Sequence, residues 1–207
     1  MFTDTAMLYL YTETPLHAGV GSGLSSIDLP IQRERTTQYP MLQGSSIKGK
    51  LRATAEEAAE QDKFSSKDVE ILFGPSRKQK DKNGGSTTPT SIATSEDYAG
   101  ALVAGDARIL LFPVRSLNGV FAYTTSSDVL NRFQRDIERN TQTRLGWQIP
   151  DFAQEQNTFK AFVTTNSEVQ ANNTTVLEEY SYETQASTGV DDIAKWIAEH
   201  ALPNLEA

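Results

Sequence analysis

Four segments of the chain have the hydrophobic spacing or the composition of helices. They are residues 46–61, 65–74, 126–140 and 191–202. The third has the clearest apolar face, which consists of Val129, Leu130, Phe133 and Ile137. Gly74 and Pro75 end the second helix, because neither residue continues a helix well. Asp191 is the predicted N-cap of the fourth.

Five other segments have the β-branched and aromatic content of strands. They are residues 4–14, 106–113, 119–125, 157–166 and 174–184. Asn118-Gly119 predicts a tight turn between the second and third strands, and QANN at 170–173 predicts another turn before the fifth. Residues 76–100 have the polar bias of a flexible loop insertion. The order of elements favours an α+β fold, and 207 residues predict a single domain.

Aromatic side chains at alternating strand positions usually face a hydrophobic core. We therefore expect Tyr39, Phe121 and Tyr123 to be core residues, although exposed rings of this kind stack on RNA bases. The two histidines, His17 and His200, are too few and too far apart in sequence to predict a zinc site. The chain also contains no cysteine, which excludes a disulfide and fits a reducing compartment.

The charge of the chain is unevenly distributed. The formal net charge is −8, which argues against simple nonspecific binding to nucleic acid. Residues 33–52, however, contain five basic side chains and one acid. A basic strip on an acidic body guides RNA to one surface. There is no basic leader before an apolar run and no segment that predicts a membrane span, so we expect a cytoplasmic protein without a membrane partner.

A Gly/Ser-rich segment at 19–26 precedes the first candidate for chemistry, Asp28. Such a segment does not hold a packed element, and Pro30 restricts the backbone before it, so Asp28 is predicted on a loop shoulder. A carboxylate there binds a divalent metal or orients a ribose 2′-hydroxyl. The alternative is a turn aspartate that bonds its own backbone.

The start of the 46–61 helix is the second candidate. A helix N-terminus attracts phosphate, and acids are the usual residues in its first turn. This helix instead begins with two serines and three cations, which are Ser45, Ser46, Lys48, Lys50 and Arg52. Either the cations contact RNA phosphates or they form a solvated face.

Gly44 to Lys50 also has most of a nucleotide-phosphate loop, G-x-x-x-x-G-K. The next residue is Leu51, so the magnesium-binding hydroxyl of that motif is absent. Pro40 also interrupts the strand that would precede it. We therefore discount an NTPase.

Two strings in this region, SIDLPIQRER at 26–35 and GSSIKGKLR at 44–52, resemble the RAMP superfamily of guide-RNA-binding proteins. The likeness is to the backbone subunits of type III-B CRISPR Cmr complexes. It continues through LFGP at 72–75, DARILLFPVRSLNGVFAYTT at 106–125 and VLEEYSYE at 176–183. The resemblance implies a modified RNA-recognition-motif core of ferredoxin-like type with loop and thumb insertions. Family members continue past a last helix into further strands, so we expect the chain to lack the C-terminal part of the domain.

The resemblance also implies roles for individual residues. Asp28 is similar to the catalytic aspartate that cuts target RNA paired to the guide, in a step that needs a divalent ion such as Mg or Mn. His17 resembles an active-site neighbour, and Glu178 and Tyr180 resemble the acid and aromatic that approach the scissile site. The residues that resemble guide-RNA contacts are Arg33, Ser45, Ser46, Lys48, Lys50 and Arg52.

The function expected from the resemblance is a metal-dependent endoribonuclease that acts within a multi-subunit complex. Its partners would be guide RNA (crRNA), complementary target RNA, further copies of itself in a filament and other effector subunits. One alternative is a non-catalytic RNA-binding module of the same superfamily, in which Asp28 is a turn residue. Another is an unrelated small-molecule enzyme that uses the Gly/Ser segment as an anion pocket.

Overall fold

The structure, a computed structural model, describes residues 4–19, 30–75, 98–150 and 159–203. The chain divides into two compact units. Unit 1 combines residues 1–16 with 109–207, and unit 2 consists of residues 17–108. Helices and strands occur in both units, which confirms an α+β protein. None of the helices among the described residues is long and apolar enough to cross a membrane.

The described residues of unit 2 form two helices and one short antiparallel strand pair. Its elements are β1 (Met41–Leu42), α1 (Gly44–Glu60), α2 (Ser66–Phe73) and β2 (Ala107–Arg108). The strands β1 and β2 pair with Met41 opposite Arg108. The N-cap of α1 is Gln43, whose side chain makes no capping bond, so neither Ser45 nor Ser46 caps the helix. The helix begins earlier because a carboxylate from elsewhere in unit 2 takes the N–H of Gly44.

The second helix of unit 2 ends where it was predicted to end. Gly74 follows α2 with φ of 90°, a conformation that favours glycine. The chain returns to this point after the predicted 76–100 insertion: the N–H of Ala101 donates to the carbonyl of Ile71 at 2.9 Å. Gly100 lies so close to the Leu72 carbonyl that any side chain there would clash. Residues 76–97 of the insertion lie outside the described residues.

Unit 1 is built around two amphipathic helices. These are α3 (Ser127–Thr141) and α4 (Thr188–His200). The four predicted apolar residues of α3 are all buried, which confirms that face. The hydrophobic core of unit 1 consists of Leu130, Phe133, Ile137, Leu145, Trp147, Ile193 and Ile197. Trp196 packs its ring edge-on to Phe133 and Trp147, so aromatic contacts join the two helices.

Five strands complete unit 1 in two sheets. They are β3 (Phe112–Arg115), β4 (Phe121–Thr124), β5 (Lys160–Val163), β6 (Thr174–Leu177) and β7 (Tyr180–Ala186). The hairpin β3–β4 is antiparallel with Arg115 opposite Phe121, and Gly119 in its turn has φ of 76°. This confirms the turn predicted from Asn118-Gly119. The other sheet has the order β5-β7-β6, in which β5 is parallel and β6 antiparallel to β7.

Two predicted strands are each divided in the structure. The 106–113 segment forms β2 and the start of β3, with an interruption at 109–111. The 174–184 segment is a hairpin, because Glu178 adopts φ of 52° between β6 and β7. Its backbone N–H donates to the carbonyl of Arg115 at 2.9 Å, and this tertiary bond holds the turn. Neither glycine nor asparagine occupies the turn, so the sequence carried no turn signal.

The first predicted strand, at residues 4–14, is not observed in the described part of the chain. Residues 4–14 form no strand with the described part of the chain, although Met7 and Tyr9 pack against the unit 1 core and their neighbours are exposed. The alternation in the sequence therefore marks which side chains face inward. It does not supply a partner for the backbone hydrogen bonds of a strand.

Asp191 is not the cap of α4. The helix begins three residues earlier with Ser187 as N-cap. The Asp191 carboxylate instead accepts from the backbone N–H of Thr165 at 2.8 Å and from its hydroxyl at 2.9 Å. Asp191 thus ties α4 to the segment after β5. An aspartate in the first turn of a helix also favours the helix dipole.

Candidate nucleic-acid interface

The start of α1 is fixed by close contacts within unit 2. The N–H of Gly44 donates to the Asp106 carboxylate at 2.8 Å. A side chain at position 44 would overlap the carbonyl oxygen of Ala104, so only glycine allows this approach. The Asp106 charge offsets part of the positive potential at the helix N-terminus. An anion at this end of α1 would therefore be attracted by the cationic side chains more than by the helix dipole.

Two of the three cations on α1 have partners inside unit 2. Lys48 is half-buried, and its ammonium donates to the carbonyl of Leu102 at 2.8 Å. The Arg52 guanidinium donates to the Glu56 carboxylate at 2.8 Å, one helical turn further along. Because a lysine ammonium has three donors and a guanidinium five, both retain donor capacity for an external phosphate.

Lys50 is placed differently from the other two cations. It lies four residues after Ser46 on the same side of α1, and both side chains are exposed. No bond from the Lys50 ammonium to another described residue is observed. Ser45 is also exposed in the first turn. The structure thus places Ser46 and Lys50 one turn apart as an accessible hydroxyl and ammonium group, with a second exposed hydroxyl at Ser45.

Arg33 lies on a separate turn before α1. It is exposed, and its guanidinium donates to the carbonyl of Gln38 at 2.9 Å. The Gln38 backbone has φ of 61°, and the Thr37 hydroxyl donates to the Glu34 carboxylate at 2.6 Å. This turn presents a cation whose position is set by its own backbone.

Gln32, next to Arg33, connects the start of α1 with the segment that contains Gly19, and its sequence surroundings do not mark it as functional. Its carboxamide oxygen accepts from the N–H of Gln43, the N-cap of α1, at 3.0 Å. Its carboxamide nitrogen donates to the carbonyl of Gly19 at 3.0 Å. Gly19 also pairs with Ile31 in an isolated antiparallel bridge. A glutamine among the apolar residues of LPIQ is the only sequence signal, and it has no specific meaning there.

The predicted catalytic residues fall in different parts of the chain. Asp28 lies outside the described residues. His17 is exposed at the beginning of unit 2, next to the Ala18 and Gly19 pair that Gln32 bonds. Glu178 and Tyr180 belong to unit 1. No group of three His, Asp or Glu side chains within the described ranges could hold a metal ion.

Glu178 has a structural contact of its own. Its carboxylate accepts from the backbone N–H of Arg115 at 3.2 Å, while its own N–H donates back to the Arg115 carbonyl. Tyr180 begins β7 and is 52% exposed. The structure therefore places both residues at the solvent-facing end of the β6–β7 hairpin, next to the β3 strand.

The prediction that Phe121 and Tyr123 are core residues is wrong. They are 48% and 44% exposed and lie on one face of the β3–β4 hairpin, with their rings edge-to-face at 5.3 Å. A hydrogen bond of 3.2 Å to the Tyr11 hydroxyl is the main cause of a raised Tyr123 pKa. Two strands with one covered face leave the other to solvent, which explains the exposure. Tyr39 is half-buried.

Comparison with known proteins identifies relatives of most of the chain. The profile of the RAMP superfamily matches residues 9–195. The chain is 38% identical over 172 residues to the CRISPR system Cmr endoribonuclease Cmr4 of Pyrococcus furiosus, a match that covers 83% of this chain and 50% of that protein. The chain thus spans about half the length of this curated relative.

Solved structures give a consistent result. The crystal structure of oligomeric Cmr4 from Pyrococcus furiosus superimposes with a TM-score of 0.66 at 35% identity, over 94% of this chain and 61% of that chain. The apo state of a type III-B Cmr-beta complex contains a chain that matches at 20% identity with a TM-score of 0.54, covering 83% of this chain and 55% of that one. At that identity the second match shows a shared fold alone.

Proposed function

Because this chain belongs to the RAMP superfamily, we propose that it is a guide-RNA-binding backbone subunit of a type III-B CRISPR effector complex that cuts target RNA. The observation that carries the proposal is the N-terminal half of α1, where the first turn contains no acid and the next two turns carry three cations, Lys48, Lys50 and Arg52. The likeness to an endoribonuclease of a Cmr system supports the same reading.

In this proposal the guide-RNA backbone lies along the start of α1 and the turn at Arg33. Lys50 and Ser46 are the accessible pair, and they bind a phosphate through an ammonium and a hydroxyl. Lys48 and Arg52 add charge from a neighbouring side of the helix while they keep their contacts to Leu102 and Glu56. Phosphate contacts of this kind hold RNA of any sequence, as a guide-binding protein requires.

Asp28 is the proposed catalytic residue for cutting the target strand. Its carboxylate orients or deprotonates a ribose 2′-hydroxyl, whose oxygen then bonds to the adjacent phosphorus. The bond from phosphorus to the 5′-oxygen of the next nucleotide breaks, and that oxygen takes up a proton. His17 is proposed as a neighbour that assists proton transfer, and Glu178 and Tyr180 as groups that approach the scissile site.

We further propose that the reaction depends on a divalent ion, Mg or Mn, held by Asp28. When bound, such an ion would offset the negative charge of the phosphate. The finer fold, a modified RNA-recognition-motif core with a thumb, also belongs to the proposal. Its support is the overall likeness to the solved Cmr4 structure.

The proposed partners are guide RNA, complementary target RNA, further copies of the chain and other effector subunits. Self-association is supported by the oligomeric form of the Pyrococcus furiosus relative. The alternative within the same superfamily is an RNA-binding module that leaves cleavage to a neighbouring protein. Its distinguishing property is that Asp28 can be replaced without loss of cutting.

The test is Asp28→Ala in the assembled complex, with a labelled complementary RNA and gel analysis of the products. We expect cleavage to fall by orders of magnitude, about 10²-fold or more for a group that acts in general acid–base catalysis. Binding of guide RNA should be unchanged, because an acid does not attract phosphate. EDTA should reproduce the loss in the wild type, and Mg or Mn should restore it.

Asp4→Ala is the control, since it also removes one aspartate carboxylate, at an exposed position far from residue 28 in the sequence. It should cut at the wild-type rate. Cutting by Asp28→Ala at that rate would overturn the catalytic assignment and favour the binding module. Full activity in EDTA would overturn the ion requirement alone.

A further inference from the structure

Gln32 is a buried polar residue whose hydrogen bonds join two segments of the candidate interface. Its exposed fraction is 9%, although it lies between exposed or half-exposed neighbours. A buried carboxamide is costly unless its oxygen and its nitrogen both find partners. Both do here. Gln32 is therefore held by specific hydrogen bonds, although it is not among the residues proposed to bind or cut RNA.

The bonds of Gln32 point in two directions. Towards the segment that follows His17, its backbone N–H donates to the Ala18 carbonyl at 2.7 Å and its carboxamide nitrogen to the Gly19 carbonyl at 3.0 Å. Towards α1, its carboxamide oxygen accepts from the Gln43 N–H at 3.0 Å. The N–H of Met41 also donates to the Gln32 carbonyl, at 3.1 Å.

We propose that Gln32 is a positioning residue that sets the 17–19 segment, with the candidate His17, against the N-terminus of α1. This inference rests on the proposed function, because it gives the two segments a joint task. A carboxamide suits the position because it alone provides a donor and an acceptor on one side chain of this length. Movement of about 1 Å in a reacting group costs up to about 10²-fold in rate, so a fixed spacing of the two segments matters for cutting.

Two substitutions separate the two directions. Gln32→Glu keeps an oxygen that accepts from Gln43 but loses the donor to Gly19, where a carboxylate would face a carbonyl oxygen. Gln32→Met has a similar length and keeps neither bond. Gln61→Glu is the matched control: it makes the same change from carboxamide to carboxylate at an exposed site of the same unit, beyond the far end of α1, where the Gln61 side-chain oxygen accepts from the Lys63 ammonium at 2.8 Å.

The experiment combines amide hydrogen exchange of the chain with guide-RNA affinity and single-turnover cleavage in the assembled complex. For Gln32→Glu we expect faster exchange of the Gln32 N–H and a protected Gln43 N–H. Cleavage should fall by about tenfold or more while guide-RNA affinity changes by less than about twofold, because only the 17–19 side is released. For Gln32→Met both amides should exchange faster, and affinity and cleavage should both fall.

Gln61→Glu should leave all of these quantities within about twofold of the wild type, as expected for an exposed site away from the candidate interface. The positioning role is overturned if Gln32→Glu cuts at the wild-type rate. It is also overturned if exchange at Gln32 and Gln43 rises equally in the Glu and Met variants, which indicates a general loss of stability. If wild-type chain neither binds guide RNA nor cuts, the proposed function fails. The exchange pattern then still decides whether Gln32 holds the two segments together.

Discussion

Helices α1 and α3 have similar lengths, 17 and 15 residues, but their sequences satisfy different requirements. The third helix begins at Ser126, whose side chain accepts from the N–H of Val129, and it has an acid in its first turn and an arginine in its last. The first helix has no side-chain cap, no acid in its first turn and a single buried residue, Gly44. Helix α3 therefore has the capping and charge pattern that stabilises a helix, and α1 lacks it.

The difference indicates that the N-terminal part of α1 lacks stabilising features and instead carries a cationic surface. A local departure from the usual helix rules that is compensated elsewhere in the fold is typical of functional sites. In α1 the departure lies in the N-terminal half, where the first turn has no acid and Lys48, Lys50 and Arg52 follow in the next two turns. The compensating contacts come from outside the helix, as in the bond from Asp106 to Gly44. These contacts hold the start of α1 in place. The Lys50 side chain remains exposed, and those of Lys48 and Arg52 bond to Leu102 and Glu56.

The largest effect should come from the one buried residue of α1. Gly44→Ala forces a methyl group onto the Ala104 backbone and weakens the bond to Asp106. We expect a loss of about 3 kcal/mol in the free energy of unfolding, as for an overpacked site that the backbone must move to relieve. Urea denaturation followed by circular dichroism measures it.

Gly49→Ala is the control for this substitution, because no atom lies within 4 Å of the added methyl group. It should stabilise α1 by about 0.5–1 kcal/mol, the difference in helix propensity between the two residues. Equal effects of the two substitutions would show that the start of α1 is not held by the contacts described above.

A smaller effect should distinguish the two helix starts. Ser126→Ala removes a side-chain cap and should cost about 1 kcal/mol in the free energy of unfolding. Ser46→Ala removes an exposed hydroxyl that caps nothing, so its effect on stability should be within about 0.5 kcal/mol. The same denaturation assay compares them. A cost at Ser46 as large as that at Ser126 would indicate a cap that the structure does not contain.

Much of unit 1 could be predicted from the sequence because its signals are local. The apolar face of α3 and the glycine of the β3–β4 turn depend on spacing and on backbone freedom that a single segment reveals. The turn at Glu178 could not be predicted, because a tertiary bond to Arg115 replaces the missing glycine. The absent first strand shows the same limit, since alternation predicts which side chains are buried but not whether a partner strand exists.

The candidate site was predictable to different degrees. The cations of α1 could be identified from the sequence because they come early in the helix predicted at 46–61, where acids are usual. Their ability to bind phosphate follows from their charge and from this position. Asp28 was selected through the resemblance to a family, since an isolated aspartate in a polar loop is ordinary. Gln32 and Asp106 were missed because their importance lies in contacts with residues that are distant in sequence.

The most direct test of the account is the salt dependence of guide-RNA binding. Lys48→Ala/Arg52→Ala and Lys50→Ala are compared with Arg135→Ala/Arg139→Ala, a pair with the same spacing and the same loss of charge on the exposed side of α3. Affinity falls as salt rises, and each phosphate contact that is lost should reduce the magnitude of the slope of log affinity against log salt by about 0.7 for single-stranded RNA.

We predict that the magnitude of this slope is smaller by about 1.4 for the double α1 variant and by about 0.7 for Lys50→Ala. Guide RNA should bind more weakly to both variants. The α3 variant should keep the wild-type slope. An unchanged slope in both α1 variants, or an equal change in the α3 variant, would contradict the claim that the start of α1 binds the RNA backbone.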